Sequence, residues 1–366
     1  MDILCKKVFT LFVCAVALTY AQQCSNNVTC LHLDQCPGLF TELQQHPINN
    51  TLFNLTIQLH CGWNGTTPKI CCPQEFLYNN ETSIHGGDVG VRSPADLLPD
   101  IRTCGITEIG GFYVSLTEID EHPWIALLQY EKLVGSGFHC GGVLISSRYV
   151  LTAAHCVKGS DLPESWKLSH VRLGEWNTTS DIDCAWGDDC APRPLDVPVE
   201  EIIAHEQYVP TDDHQNDIAL LRLAYDVPFN DFVKPICLPL AASLRRRTFE
   251  GTDMEVAGWG KTVTKSSSDM KLKDVVSGVS ISDCQAVYRR AGRNISENQM
   301  CAWGPMRQSS CTGDSGGSLM GRDDFMNWMA IGVFSYGPTP CATPGWPGVY
   351  TRVTAYVDWI LSKLRP

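Results

Sequence analysis

From residue 122 to residue 353 the chain alternates short apolar runs with turns rich in Gly, Pro and Asn. The runs include HPWIALLQY (122–130), CGGVLISSRYVLTAAHC (140–156), DIALLRL (217–223), MEVAGWG (254–260), WMAIGVFSYG (328–337) and GVYTRV (348–353). Runs this short, bounded by turn residues, predict many strands and an all-β sandwich or barrel. The chain end differs. Val353, Val357, Ile360, Leu361 and Leu364 recur at helical spacing, which predicts a terminal amphipathic helix. No internal repeat is visible. At the other end, Lys6-Lys7 precede an apolar run from Val8 to Leu18 and the small-residue end Thr19-Tyr20-Ala21. That order reads as a secretory signal over residues 1–21, because the run is too short to span a bilayer comfortably. The expected mature protein is soluble and extracellular.

Cysteine usage supports that compartment. Removing Cys5 and Cys14 with the signal from the 18 cysteines of the chain leaves an even set, for which full pairing is expected. Sequons at Asn27, Asn49, Asn54, Asn64, Asn80, Asn177 and Asn294 agree with secretion and glycosylation. Six cysteines, Cys24, Cys30, Cys36, Cys61, Cys71 and Cys72, crowd into residues 22–73. So short a unit builds little apolar core and needs disulfides to hold it. Six cysteines allow 15 connectivities, and spacing does not choose among them. A zinc module is the competing reading, but the adjacent pair Cys71-Cys72 cannot easily serve one tetrahedral metal. Beyond Pro73 the composition turns polar, with NNETSIHGGDVGVRSPADLLPD at residues 79–100, and residues 74–108 read as an exposed linker. The net charge of -12 and pI near 5.2 argue against nucleic acid or an anionic membrane as partner.

Candidate chemistry lies in three segments. A serine hydroxyl is a weak nucleophile unless a base takes its proton, and that base must be held in one tautomer. His155 in LTAAHC offers the base. Asp217 in NDIALLRL offers a carboxylate just ahead of an apolar strand. Ser315 in GDSGG offers the nucleophile, in a turn able to aim the Gly313 and Ser315 N–H groups as an oxyanion hole. Each alone could be a core histidine, a strand cap or an ordinary turn. Together, in the order His, Asp, Ser, they point to a hydrolase.

With those residues in view, PWIALL, CGGVLISSRYVLTAAHC, NDIALLRL, VAGWG, CTGDSGGSL and PGVYTRV make residues 109–366 resemble the chymotrypsin-like serine proteases. The amino-terminal cysteines, ending KICCP, resemble the clip domain of arthropod clip-domain proteases. The resemblance implies two six-stranded antiparallel Greek-key barrels with the triad at their junction, preceded by a clip domain at 22–73. It implies disulfides Cys24–Cys71, Cys30–Cys61 and Cys36–Cys72 in the clip, and Cys140–Cys156, Cys284–Cys301 and Cys311–Cys341 in the protease. Cys104–Cys237 would tie the linker to the protease, and Cys184–Cys190 would close a short insertion. It places the primary pocket floor at Ser309 and its walls at Gly337 and Gly348. A neutral open slot favours Phe, Tyr, Leu or Met over Arg or Lys, because a buried guanidinium needs a charged partner. It also implies a precursor whose new amine pairs with Asp314. No Arg or Lys precedes the one candidate terminus, Ile109-Gly110-Gly111, so the expected cut follows Glu108.

The acidic stretch GEWNTTSDIDCAWGDDC at 174–190 suits calcium. By resemblance Glu175, Asn177, the Ser180 carbonyl and Asp183 are the expected ligands, against the alternative of a solvated acidic loop. No cofactor is required for the chemistry. The basic run LRRRTF at 244–249 reads as a solvated loop. The expected protein is a secreted zymogen endopeptidase of a haemolymph cascade such as melanisation or Toll-type signalling. Its expected partners are a protein substrate, an upstream activating protease and a serpin. The alternative is a non-catalytic clip-domain adaptor that binds other cascade proteins.

Overall fold

The computed structural model describes residues 24, 30–32, 36, 59–64, 67–72, 94–107, 115–158, 162–185, 190–210, 213–261, 267–304, 315–341 and 343–366. The signal segment 1–21, the sequons at Asn27, Asn49, Asn54 and Asn80, and the residues Glu108, Ile109, Ser309, Cys311, Gly313 and Asp314 lie outside them. The chain divides into two compact units, 1–90 and 91–366. Among the described residues no helix is long and apolar enough to cross a membrane.

The first unit carries a three-stranded antiparallel sheet of β1 (Cys30–His32), β2 (His60–Asn64) and β3 (Thr67–Cys71), in the order β1-β3-β2. Its disulfides are Cys24–Cys71, Cys30–Cys61 and Cys36–Cys72. Cys30 and Cys71 face each other across the β1–β3 ladder, yet each bonds elsewhere. Both outer strands are thereby tied. Among the described residues of this unit, Ile70 and the half-cystines Cys36, Cys61 and Cys72 are the buried ones. Each of these cross-links is worth typically about 2–4 kcal/mol.

The second unit contains two closed six-stranded antiparallel barrels. The first is built from β4 (Ile125–Glu131), β5 (Ser136–Ser146), β6 (Tyr149–Thr152), β7 (Lys167–Leu173), β8 (Leu195–Ala204) and β9 (Ala219–Leu223). Their order is β4-β5-β6-β9-β8-β7, so the β4–β7 ladder closes the barrel. The second uses β10 (Asp253–Gly258), β11 (Leu272–Val279), β12 (Gln299–Trp303), β13 (Ser318–Arg322), β14 (Trp328–Tyr336) and β15 (Gly348–Arg352). Here the order is β10-β11-β12-β15-β14-β13, closed by β10–β13. Leu128, Leu144, Leu151, Leu173 and Ile218 fill the first barrel, and Met254, Met300, Leu319 and Ile331 the second. Trp124 seals the junction: fully buried, it donates its indole N–H to the Met320 sulfur at 3.0 Å.

The terminal helix runs Val353–Lys363 and buries Val353, Tyr356, Val357 and Ile360, the face its spacing predicts. Residues 94–107, at the end of the stretch read as linker, belong to this second unit. Leu97 and Leu98 pack on the core, and Cys104 is bonded to Cys237. Gly105 N–H donates to the Pro235 carbonyl at 2.8 Å, and Trp328 N–H to the Gly105 carbonyl at 2.9 Å. Further disulfides are Cys140–Cys156, Cys184–Cys190 and Cys284–Cys301. Cys341 is also disulfide-bonded.

Candidate active site

Three local structures converge at the barrel junction. β6 ends in a single 3-10 turn, Ala154–Cys156, that lifts His155 off the strand. The Cys140–Cys156 bond and a 2.8 Å hydrogen bond from the Tyr130 hydroxyl to the Cys156 carbonyl fix that turn. Asp217 opens the approach to β9 after Asn216, whose φ of 58° redirects the chain; asparagine tolerates this left-handed region better than most residues. The Tyr356 hydroxyl, from the terminal helix, donates to the Asn216 side-chain oxygen at 2.8 Å and holds the bend.

Asp217 is fully buried and holds His155 twice. The His155 backbone N–H donates to Oδ1 at 2.8 Å, and Nδ1 lies 2.8 Å from Oδ2. The Ser335 hydroxyl from β14 donates to the same Oδ2 at 2.5 Å, and the Thr351 hydroxyl donates to the Asp217 carbonyl at 2.7 Å. Burial alone would push this carboxyl up. The His155 charge and the hydrogen bonds from His155 and Ser335 outweigh burial and hold it below the ordinary carboxylate range. Asp217 is thus an anion that orients the imidazole with Nδ1 as donor, leaving Nε2 to accept a proton.

Ser315 lies in the turn that enters β13, clamped between the barrels. Its carbonyl accepts from Gly141 N–H of β5 at 2.9 Å, while Gly316 N–H donates to Phe334 of β14 at 3.1 Å. Gly316 has a φ of +78°, and a Cβ there would meet Thr152 Oγ1 at 2.4 Å and Cys156 Sγ at 3.0 Å. Only glycine lets the serine's turn press this closely on the histidine's segment. The same strand, β14, therefore anchors the serine's turn and, through Ser335, the aspartate. An imidazole poised this way can take a serine proton and return it to a leaving group.

Of the expected pocket residues, Gly337 and Gly348 are described. A Cβ on Gly337 would touch Phe334 Cζ at 3.6 Å, and one on Gly348 would press on the Tyr350 ring at 3.2 Å. Sequence reasoning did not single out Ser335 or Thr351. Their one signal is a hydroxyl residue inside an otherwise apolar run.

In the acidic loop, Glu175 and Asp183 are both buried, whereas Asn177 turns its side-chain oxygen to Thr179 N–H and the Thr179 hydroxyl, at 3.2 and 2.8 Å. Asp183 accepts from the N–H groups of Trp176 and Asn177 and from the Ser180 hydroxyl. Burial and the nearby Asp183 charge push the Glu175 carboxyl up, against the opposing pull of Arg172 and Trp176 N–H. Arg172 pairs with Glu175 at 3.2 Å and with Asp196, while the buried Lys271 feels the charge of both Glu175 and Asp183, so these hard-oxygen groups already face cationic side chains.

Two antiparallel barrels with a histidine, an aspartate and a serine brought to their junction define a chymotrypsin-like serine hydrolase. Comparison with known proteins narrows the class. A family model described as Trypsin matches residues 114–360, and one described as the regulatory CLIP domain of proteinases matches 22–72. The chain is 53% identical to the CLIP domain-containing serine protease HP8 of Bombyx mori, covering 94% of this chain and 93% of that one. It is 47% identical to serine protease ea of Drosophila melanogaster, covering 92% and 88% of the two chains. The crystal structure of the Drosophila Grass clip serine protease of the Toll pathway matches with a TM-score of 0.65 at 31% identity, covering 94% of this chain and 97% of that one. The chain belongs to the CLIP-domain serine proteases and is a serine endopeptidase.

Proposed function

We propose that this protease is secreted as a zymogen and cuts after large apolar or aromatic residues within an extracellular proteolytic cascade. The buried His155–Asp217 pair carries the reading, because it is the arrangement that makes a serine nucleophilic. Ser315 attacks the scissile carbonyl and His155 takes its proton. The resulting acyl-enzyme is then hydrolysed by water as His155 acts in reverse. Gly313 and Ser315 N–H groups serve the oxyanion, and Ser309 forms an uncharged pocket floor between Gly337 and Gly348. Relatives named Melanization protease 1 and Spaetzle-processing enzyme, both of Drosophila melanogaster, support a cascade role with a protein substrate and an activating protease. A serpin as the cognate inhibitor belongs to the same reading.

The test uses processed protein labelled with a serine-reactive fluorophosphonate, then assayed on matched Phe-, Leu- and Arg-amide peptides. Labelling lost in Ser315→Ala, with Phe and Leu cleaved faster than Arg, is the expected result. Dominant Arg cleavage would overturn the neutral pocket. Absence of label would favour a binding role for the fold.

Calcium belongs to the same proposal as a structural ion held by Glu175 and Asp183. Millimolar calcium should raise Tm by several degrees, and the double variant Glu175→Gln, Asp183→Asn should lose that rise. An identical Tm in calcium and in chelator would rule the ion out.

A further inference from the structure

A row of side chains leads away from the catalytic histidine and ends in a cation. His214, three residues before Asp217 in the chain, stands edge-on to His155 with ring centroids 6.3 Å apart. Its ring also leans on Tyr336, 5.1 Å away. The Tyr336 ring in turn carries the Arg293 guanidinium, 4.6 Å from its centroid. Among the described residues, one nitrogen of that guanidinium, Nη1, is buried with no hydrogen-bond acceptor. Such a donor costs free energy until an acceptor reaches it.

The row is held rigid by a polar clasp between residues 213–215, ahead of β9, and residues 294–299, leading into β12. Asn294 N–H donates to Asp213 Oδ1 at 3.0 Å, and the Gln299 amide donates to the Asp213 carbonyl at 2.9 Å. The Gln215 amide donates to Gln299 Oε1 at 2.9 Å, and the Ser296 hydroxyl to Gln215 Oε1 at 2.7 Å. Arg293 N–H is fixed on the Tyr288 carbonyl at 3.1 Å. Asp213 Oδ1 accepts the Asn294 N–H, and among the described residues Asp213 forms no ion pair with Arg293. Arg289 and Arg290 lie in the same turn, both exposed, so a chain of net charge -12 presents three arginines within five residues. Aromatic stacking orients a guanidinium edge for a carboxylate, which two parallel N–H bonds can grip.

The direction of the row says which half of a substrate it meets. Gly337, a wall of the expected primary pocket, directly follows Tyr336 on β14. A residue whose side chain enters that pocket brings the residues preceding it along Tyr336. Extended chain advances about 3.3 Å per residue, so Arg293 lies within reach of roughly the second to fourth residue before the cut bond. We infer that Arg293, laid on Tyr336, is a specificity-determining residue that selects protein substrates carrying Glu or Asp at one of these upstream positions. The inference rests on the pocket reading above for its direction along the substrate.

The experiment separates binding from turnover. Fluorescent peptides sharing one cleavable Phe or Leu, with Glu, Gln or Lys at each upstream position, are titrated against processed Ser315→Ala protein by anisotropy. At one position Glu should bind about fivefold tighter than Gln, the range of a partly exposed charge-assisted pair. Adding Arg293→Gln should equalise them, and Arg293→Glu should favour Lys. The same Glu-to-Gln ratio should appear in kcat/KM for protein with Ser315 intact and should vanish in Arg293→Gln. Equal Glu and Gln affinities at all three positions, or a ratio unmoved by Arg293→Gln, overturns the subsite. Retained binding ratios without turnover would instead condemn the reaction assigned to Ser315.

Discussion

At the scale of single residues, the site depends on a hydroxyl that touches no reacting atom. Ser335 donates to the Asp217 oxygen that also faces His155 Nδ1. Replacing it by alanine leaves a fully buried carboxylate with one donor fewer, which loosens the imidazole. Ser335→Ala should lower kcat/KM about tenfold, mainly through kcat, with the fold intact by circular dichroism. Lys271 poses the opposite problem, a buried cation with no ion pair among the described residues. It is 3% exposed, its N–H donates to the Trp176 carbonyl, and its own carbonyl accepts from Thr117. Burial brings its amine down to about 8, against the upward pull of Glu121, Asp120, Glu175 and Asp183. Between about pH 8 and the unfolded lysine value near 10.4, the unfolded chain holds a proton that the native chain has released. Stability therefore rises with pH across that window. Lys271→Met should remove the rise and, at pH 7, stabilise by about 2 kcal/mol. Denaturant melts of both proteins in chelator, at several pH values, measure it.

At the scale of elements, the strands were legible because each is short, apolar and bounded by Gly, Pro or Asn. Barrel closure was not. It depends on ladders such as β4–β7 and β10–β13, between segments about forty to seventy residues apart, and no local period encodes which distant strand pairs. That part came from resemblance, as did the disulfide pairing, which spacing left open. The candidate triad was legible as motifs, but its clamp was not: Ser335 in FSYG reads like any polar residue near a strand end. His214 and Arg293 were equally silent, one in the polar run TDDHQND and the other in RRAGRN. The segment 94–107 was read as linker because its composition is polar, although Leu97-Leu98 is an apolar pair within it. Gly105 is the sharpest constraint there. Its φ is +65°, and a Cβ would meet the Trp328 carbonyl oxygen at 2.2 Å. Gly105→Ala should therefore cost about 2–4 kcal/mol, read as a lower Tm and faster loss of the Cys104–Cys237 link in mild reductant.

At the scale of the whole molecule, the same segment decides what activation can release. A cut after Glu108 would separate two chains whose covalent link is Cys104–Cys237. Leu97, Leu98, Gly105 and the Asn327 side chain, which donates to the Ile101 and Cys104 carbonyls, add non-covalent attachment to the catalytic unit. The clip would then remain with the active enzyme. Just beyond the cut, Ser115–Thr117 is already stitched to β11: Thr117 N–H donates to the Lys271 carbonyl, and Lys273 N–H to the Ser115 carbonyl. Ser115–Thr117 is therefore the fixed point nearest the proposed new terminus. A cut after Arg102 would leave Ile109 internal, with no amine to offer. On the proposed zymogen reading, trypsin should thus generate little activity from the native chain, whereas Glu108→Arg should become trypsin-activatable. The activated variant should run as one species on a non-reducing gel and as two when reduced, with Ile109 at the new terminus by mass spectrometry. If it is cut after residue 108 yet stays inert, while natively activated protein shows a different terminus, the activation bond lies elsewhere.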